Sequence, residues 1–233
     1  MAINYGTSST WVDLSKVNSQ AGLIATNLNF ATDVNRPLSY SGTTLNDLQG
    51  SRVGTLQNGI SMNSQNDIKY LSFNGSTGYI AHTDFTLPTA CSVYFSVRTT
   101  ATGQRALFSH WSGGPVNVGY GLNDGKLYYL QYDGQWNYYT STGASANTGS
   151  WVHLAFVRTS GTNMVMYING VQDYVLNVTS PRSLGGGNMG SIGIFWGWGH
   201  WLGDFGAMQV YNEAHSSVQV NQQYLTAHKK RYG

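Results

Sequence analysis

Residues 151–170, WVHLAFVRTSGTNMVMYING, decide the fold. Trp151, His153, Ala155 and Val157 alternate with Val152, Leu154, Phe156 and Arg158. A period of two with apolar residues on both sides reads as a strand covered on both faces. Ser160-Gly161-Thr162-Asn163 then interrupts with turn chemistry. Met164–Ile168 resumes the run, with Val165 and Tyr167 opposite Met164, Met166 and Ile168. Asn169-Gly170 supplies the positive-φ pair of a tight hairpin. The stretch predicts an antiparallel β core with this hairpin near its centre.

The same pattern extends outward. CSVYFSVR (91–98) and RALFSHW (105–111) alternate like strands, and residues 118–141 hold two turns, Asn123-Asp124-Gly125 and Asp133-Gly134, between aromatic-rich strands. Val171–Val178 reads as a further strand, and Pro181–Gly190 as a glycine-rich loop. Strands about every eight to twelve residues with glycine-containing turns predict a sandwich. Near the C-terminus, Ser216 with Gln219 forms a capping-box pattern. Val220 and Tyr224 share a face, and His228–Arg231 place positive charge where a helix dipole favours it. The first 27 residues, with scattered Tyr5, Trp11, Leu14 and Leu23, show no period. They read as a first strand or a docking arm, and 28–233 as a single domain.

Three groups of residues carry a family resemblance. Trp-x-His-x-Ala-x-x-Arg followed by Met-Tyr-Ile-Asn-Gly (151–170) resembles the central hairpin of laminin-G-like, concanavalin A-like jelly rolls. Tyr40-Ser41-Gly42, Leu56-x-Asn58-Gly59 and Leu71-x-Phe73-Asn74-Gly75 with Tyr79-Ile80 resemble the opening of that family as found in phage and environmental virus proteins. Gly203-Asp204-Phe205 through Tyr211-Asn212 resembles its closing strand, with His215 where the family usually has Leu. The resemblance implies an all-β, antiparallel jelly-roll sandwich with a short C-terminal α-helix. It also implies a lectin-like role, and calcium as a structural ion, for which Asp204, Asp133 and Asn137 are oxygen donors.

Composition narrows the function. Of 233 residues only 9% are charged, while 29 are Gly, 16 Tyr and 7 Trp; the net charge is +2. There is no basic stripe for nucleic acid and no apolar run of membrane length. One cysteine, Cys91, excludes an internal disulfide and a cysteine-based zinc site, and reads as a small core residue. The N-terminal residues lack a signal-peptide pattern, which fits a chain made in the host cytoplasm; a virion as the setting is what the resemblance at Tyr40–Ile80 implies. A homo-oligomer or larger assembly is the expected state.

Catalytic patterns are sparse. Glycoside cleavage needs two carboxyl groups across the scissile bond, yet Glu213 is the only glutamate and the aspartates are isolated. No His-Glu-x-x-His, Gly-x-Ser-x-Gly or phosphate loop is present. His153, in the central strand, reads as a packed histidine. The chain is therefore read as non-catalytic and without a cofactor beyond such an ion.

The strongest binding signal is Phe195-Trp196-Gly197-Trp198-Gly199-His200-Trp201, where glycines leave indole faces uncovered. The Asp133-Gly134 hairpin, with Tyr132 and Trp136, and Trp111 add further rings. Trp196, Trp198, His200, Trp111, Tyr132, Asp133 and Trp136 are the candidate ligand residues. Competing with this, Trp201 reads as core, and Trp196 and Trp198 share parity with Ile192 and Ile194. The expected function is a lectin-like structural protein of a phage or virus particle, for adhesion or decoration. The alternatives are a purely structural virion protein whose rings bind neighbouring subunits and, last, a glycoside hydrolase or lyase.

Overall fold

The computed structural model describes Ile24 and residues 26–50, 52–111, 117–132, 135–159, 163–177, 184–195 and 199–233; at 83–86, 111 and 184–189 it describes the backbone. In chain order the strands are β1 (Leu28–Asp33), β2 (Tyr40–Ser41), β3 (Thr44–Asn46), β4 (Val53–Leu56), β5 (Ile60–Gln65), β6 (Ile68–Asn74) and β7 (Ile80–Leu87). There follow β8 (Cys91–Arg98), β9 (Gln104–Trp111), β10 (Asn117–Asn123), β11 (Lys126–Tyr132), β12 (Trp136–Thr140) and β13 (Trp151–Arg158). The last are β14 (Asn163–Ile168), β15 (Val171–Asn177), β16 (Leu184–Ile192), β17 (Ile194–Phe195), β18 (Gly199–His200) and β19 (Leu202–Tyr211).

Two antiparallel sheets result. Sheet A runs β15-β14-β13-β8-β19-β6-β5, with β1 also on β19. Sheet B runs β12-β11-β10-β9-β16-β7-β4-β3-β2, and β17-β18 form a separate flap. The expected central hairpin is β13-β14-β15, with Asn169 (φ 52°) and Gly170 (φ 78°) at its second turn. The expected loop over 181–190 is corrected. Residues 184–192 form β16, which joins β9 to β7. Its glycines carry no side chains to alternate, so the sequence hides a strand that the ladder reveals.

Both faces of β13 are covered, by different means. Val152, Leu154 and Phe156 enter the core between the sheets, with Phe95, Phe108, Tyr120 and Trp201. Arg158 follows the same face and is fully buried. Its Nε and Nη2 donate to the Thr89 and Pro88 carbonyls at 2.8 Å, and Nη1 to Tyr129 Oη at 3.3 Å. Cys91 is buried beside it, and burial pushes its thiol up.

The opposite face of β13 lies under the C-terminal helix. Ser216 caps α1 (Ser217–Gln223) through the full capping box. Residues 224–229 widen into π-helical turns before α2 (Lys230–Tyr232). The buried helical residues are Val220, Gln223, His228 and Tyr232. The wide turns add a residue between Gln223 and His228, which keeps both on the sheet. Gln223 donates to Tyr211 Oη, and Arg231 pairs with Asp33. His215 is buried with Nδ1 2.7 Å from Tyr94 Oη.

Three buried imidazoles make the fold pH-dependent, His153 and His228 under the helix and His82 on β7 against Phe30. Burial pulls His82 and His228 down to about 4 and His153 well below the usual range. His153 packs against Tyr94, Tyr224 and His228, with ring centroids 5.4, 6.0 and 5.4 Å away. A base depressed in the folded state binds more protons when unfolded. Stability is thus intact above the unfolded value of about 6.5 and falls as pH drops toward 4. The urea midpoint should hold level above that value and decline steadily below it. A flat profile between pH 7 and pH 4 would show the imidazoles to be solvated.

Candidate functional site

The outer face of sheet B, from β9 to β12, carries the described rings. On β10, Val118, Tyr120 and Leu122 point into the core. Gly119 and Gly121 therefore present the opposite face without side chains, Gly121 lying against the Arg105 carbonyl where the β9 register shifts. A Cβ on Gly119 would lie 2.9 Å from a Phe195 ring carbon and 3.0 Å from Leu130 Cγ. Glycine here lets Phe195 lie down on the sheet. Phe195 joins Tyr128, Leu130 and Ala106 in an apolar cluster against which Trp136 packs.

From this cluster a strip of rings runs to the sheet edge. The Phe195 ring meets Trp136 edge-on at 5.5 Å. Trp136 lies 4.9 Å from Tyr132 and 6.3 Å from Tyr138, nearly parallel to the latter at 15°. Trp136 and Tyr138 are two residues apart on β12, so they share a face. Tyr138 is 45% exposed. Burial pushes Tyr128 up to about 12, so its hydroxyl stays neutral. Gln104 and Arg105 border a shallow depression beside Phe195 and Tyr128. His200, opposite Ile194 in the flap, is pulled down by burial and then by the Arg105 charge.

The structure thus brings Tyr132 and Trp136 together and places His200 on the flap that holds Phe195. Trp196, Trp198 and Asp133 lie outside the described residues, as does the side chain of Trp111. Trp201 is core, as expected, at 1% exposure. Gly193 (φ 87°) separates β16 from β17, so alternation counted from Ile192 does not reach Phe195. Phe195, part of the binding stretch in the sequence, and Tyr128 and Tyr138, from the aromatic-rich strands around Asp133-Gly134, are brought onto one face by the fold. The signal available was the Gly-Tyr-Gly of β10, which marks a flat patch between ring-bearing strands.

The carboxylates are mostly committed elsewhere. Asp33 pairs with Arg36 and Arg231, Asp47 with Arg52, and Asp204 with Arg98. Asp173 accepts from the Ala144 N–H, and Glu213 lies 3.3 Å from His215. Among the described residues no three metal-ligating side chains converge, and no helix is long and apolar enough to cross a membrane.

The family model described as the concanavalin A-like lectin/glucanases superfamily matches residues 74–221. No curated protein sequence matches the chain. Domain 4 of AbnA, a GH43 extracellular arabinanase from Geobacillus stearothermophilus, solved with arabinotriose, superposes with a TM-score of 0.66 at 21% identity. That match covers 85% of this chain and 98% of the other. The binding domain of Paraclostridial mosquitocidal protein 1 gives 0.64 at 14%, covering 85% and 52%. A structure reported for botulinum neurotoxin type C, whose cell entry is described as dependent upon interaction with two ganglioside molecules, gives 0.63 at 12%, covering 90% and 52%. The present chain spans about half the length of these two toxin chains. At such identities the likeness is one of fold.

If Gly119 is what seats Phe195, Gly119→Val should unseat it. The expected cost is about 1–3 kcal/mol, as for overpacking, with loss of the near-ultraviolet circular dichroism of the Phe195–Trp136 contact. An unchanged spectrum and urea midpoint would refute the assignment.

Proposed function

The chain belongs to the concanavalin A-like lectin/glucanases superfamily, and on that premise we propose that it is a non-catalytic glycan-binding module. The observation that carries this is the ring strip Phe195–Trp136–Tyr138, with Tyr132, on a glycine-floored sheet face. Aromatic rings offer a large, rigid, amphipathic contact with little conformational entropy to lose. A sugar's C–H face stacks on such rings, while its hydroxyls meet the polar border of Gln104, Arg105 and His200. Trp196, Trp198, Trp111 and Asp133 belong to the proposed site by their place in the sequence. The neighbours described with arabinotriose and with gangliosides lend the reading support.

The non-catalytic part of the reading is supported by the committed carboxylates. Asp33, Asp47 and Asp204 each face an arginine, whereas glycoside cleavage uses an opposed acid and base. The proposed setting is a phage or virus particle, with adhesion or decoration as the task and other copies or virion proteins as neighbours. Its support is the resemblance at Tyr40–Ile80.

A glycan array tests the reading. The wild type should bind neutral glycans, and Trp136→Ala and Tyr138→Ala should each weaken binding about tenfold, or about 1.4 kcal/mol, without moving the melting temperature by more than a few degrees. A blank array from folded protein would favour a subunit-binding surface. Release of reducing ends from any bound polysaccharide would restore the enzyme alternative.

A further inference from the structure

The outer face of sheet A is divided in two. The C-terminal helix covers the part around Tyr94, His153 and Ser96. Beyond it, where β5, β6, β19, β8 and β13 run side by side, the face is polar and open. Arg98 lies at its centre. Its Nε and Nη2 approach Asp204 Oδ2 at 2.8 and 2.7 Å, and Nη1 donates to Gln65 Oε1 at 2.8 Å. Ser72 donates to Asp204 Oδ1 at 2.6 Å and accepts from Asn63 Nδ2 at 2.9 Å. The guanidinium carbon lies 5.0 Å from the Tyr70 ring centroid and 5.3 Å from that of Trp151. A cleft of about 360 Å³, lined by Ser72, Arg98, Asp204, Thr99 and Thr100, opens alongside.

An ion pair at the surface contributes little to stability. This pair keeps 22% and 18% side-chain exposure, yet residues of three further strands fix its geometry. The bonds above do not exhaust these groups. Arg98 is further engaged by Tyr70, while Gln65 keeps its amide NH₂, Asn63 its carbonyl oxygen, and Asp204 a lone pair on Oδ1. Donors and acceptors thus alternate over a few ångströms, pre-oriented and solvent-facing. Their charges cancel: an anion would meet Asp204 and a cation Arg98. Hydroxyl groups, each both donor and acceptor, match the pattern.

We infer that this face is a second binding site for a neutral polyhydroxylated ligand, so that one chain contacts glycan on both of its sheets. The ligand class rests on the glycan reading of sheet B; the site itself does not share a residue with it. The test uses the full chain on the same array of neutral oligosaccharides. A Trp136→Ala/Tyr138→Ala double variant should retain part of the signal. Adding Asn63→Ala and Gln65→Ala should lower that remainder at least tenfold, as should Arg98→Ala. Asn63 and Gln65 are exposed on the edge strand β5, so their loss should leave the melting temperature unchanged. A double variant that binds nothing beside a binding wild type overturns this site alone. Residual binding indifferent to Asn63, Gln65 and Arg98 overturns it as well. A blank array for the wild type overturns both sites.

Discussion

Two sheets packed face to face hide only half of their side chains, and each must still dispose of an outer surface. In this molecule the inner halves make one continuous core, from Phe30 and Leu71 through Phe156 to Trp201. The outer halves receive three treatments. Part of sheet A is roofed by a helix, part is left polar, and part of sheet B is levelled with glycine and lined with rings. With only 9% of residues charged, the polar part is wetted largely by uncharged groups such as Asn63, Gln65 and Ser72 around one ion pair.

The helix roof shows how exacting the first treatment is. Val220 seals an apolar cluster of Tyr94, Val157, Tyr167 and Tyr211. Further along, polar partners take over: Gln223 reaches Tyr211, and His228 Nδ1 lies 3.0 Å from Ser96 Oγ. The wider helical turns between them resolve a mismatch of period between helix and sheet. Arg231 then ties the last turn to β1 through Asp33, which Arg36 also holds.

Much of the fold could be read in the sequence because local chemistry and global pairing agree. The β13-β14-β15 run has alternation on both sides and Asn169-Gly170 at its turn, and the ladder follows both. Ser216 and Gln219 announce the helix in the same way. The strand over 184–192 was hidden because glycine carries no alternation, and pairing to β7 and β9 supplies what periodicity lacks. At the ring face, Tyr132 and Trp136 were legible from a single hairpin. The contact of Phe195 with Trp136 was not, since the direction of Phe195 is set after the break at Gly193. Arg98 and Asp204 are 106 positions apart and meet only because β8 and β19 are neighbours. Contacts of that range leave no mark in spacing.

The solitary Cys91 is fully buried between the sheets, and its thiol is held protonated by its surroundings. Alkylating reagents act on exposed thiolates, so the native protein offers them nothing to modify. A cysteine introduced at a chosen surface position would be the single reactive handle on the molecule. Tethered through it to a sensor chip or a bead, the protein could be displayed with either broad side turned outward, each orientation leaving the other side against the support.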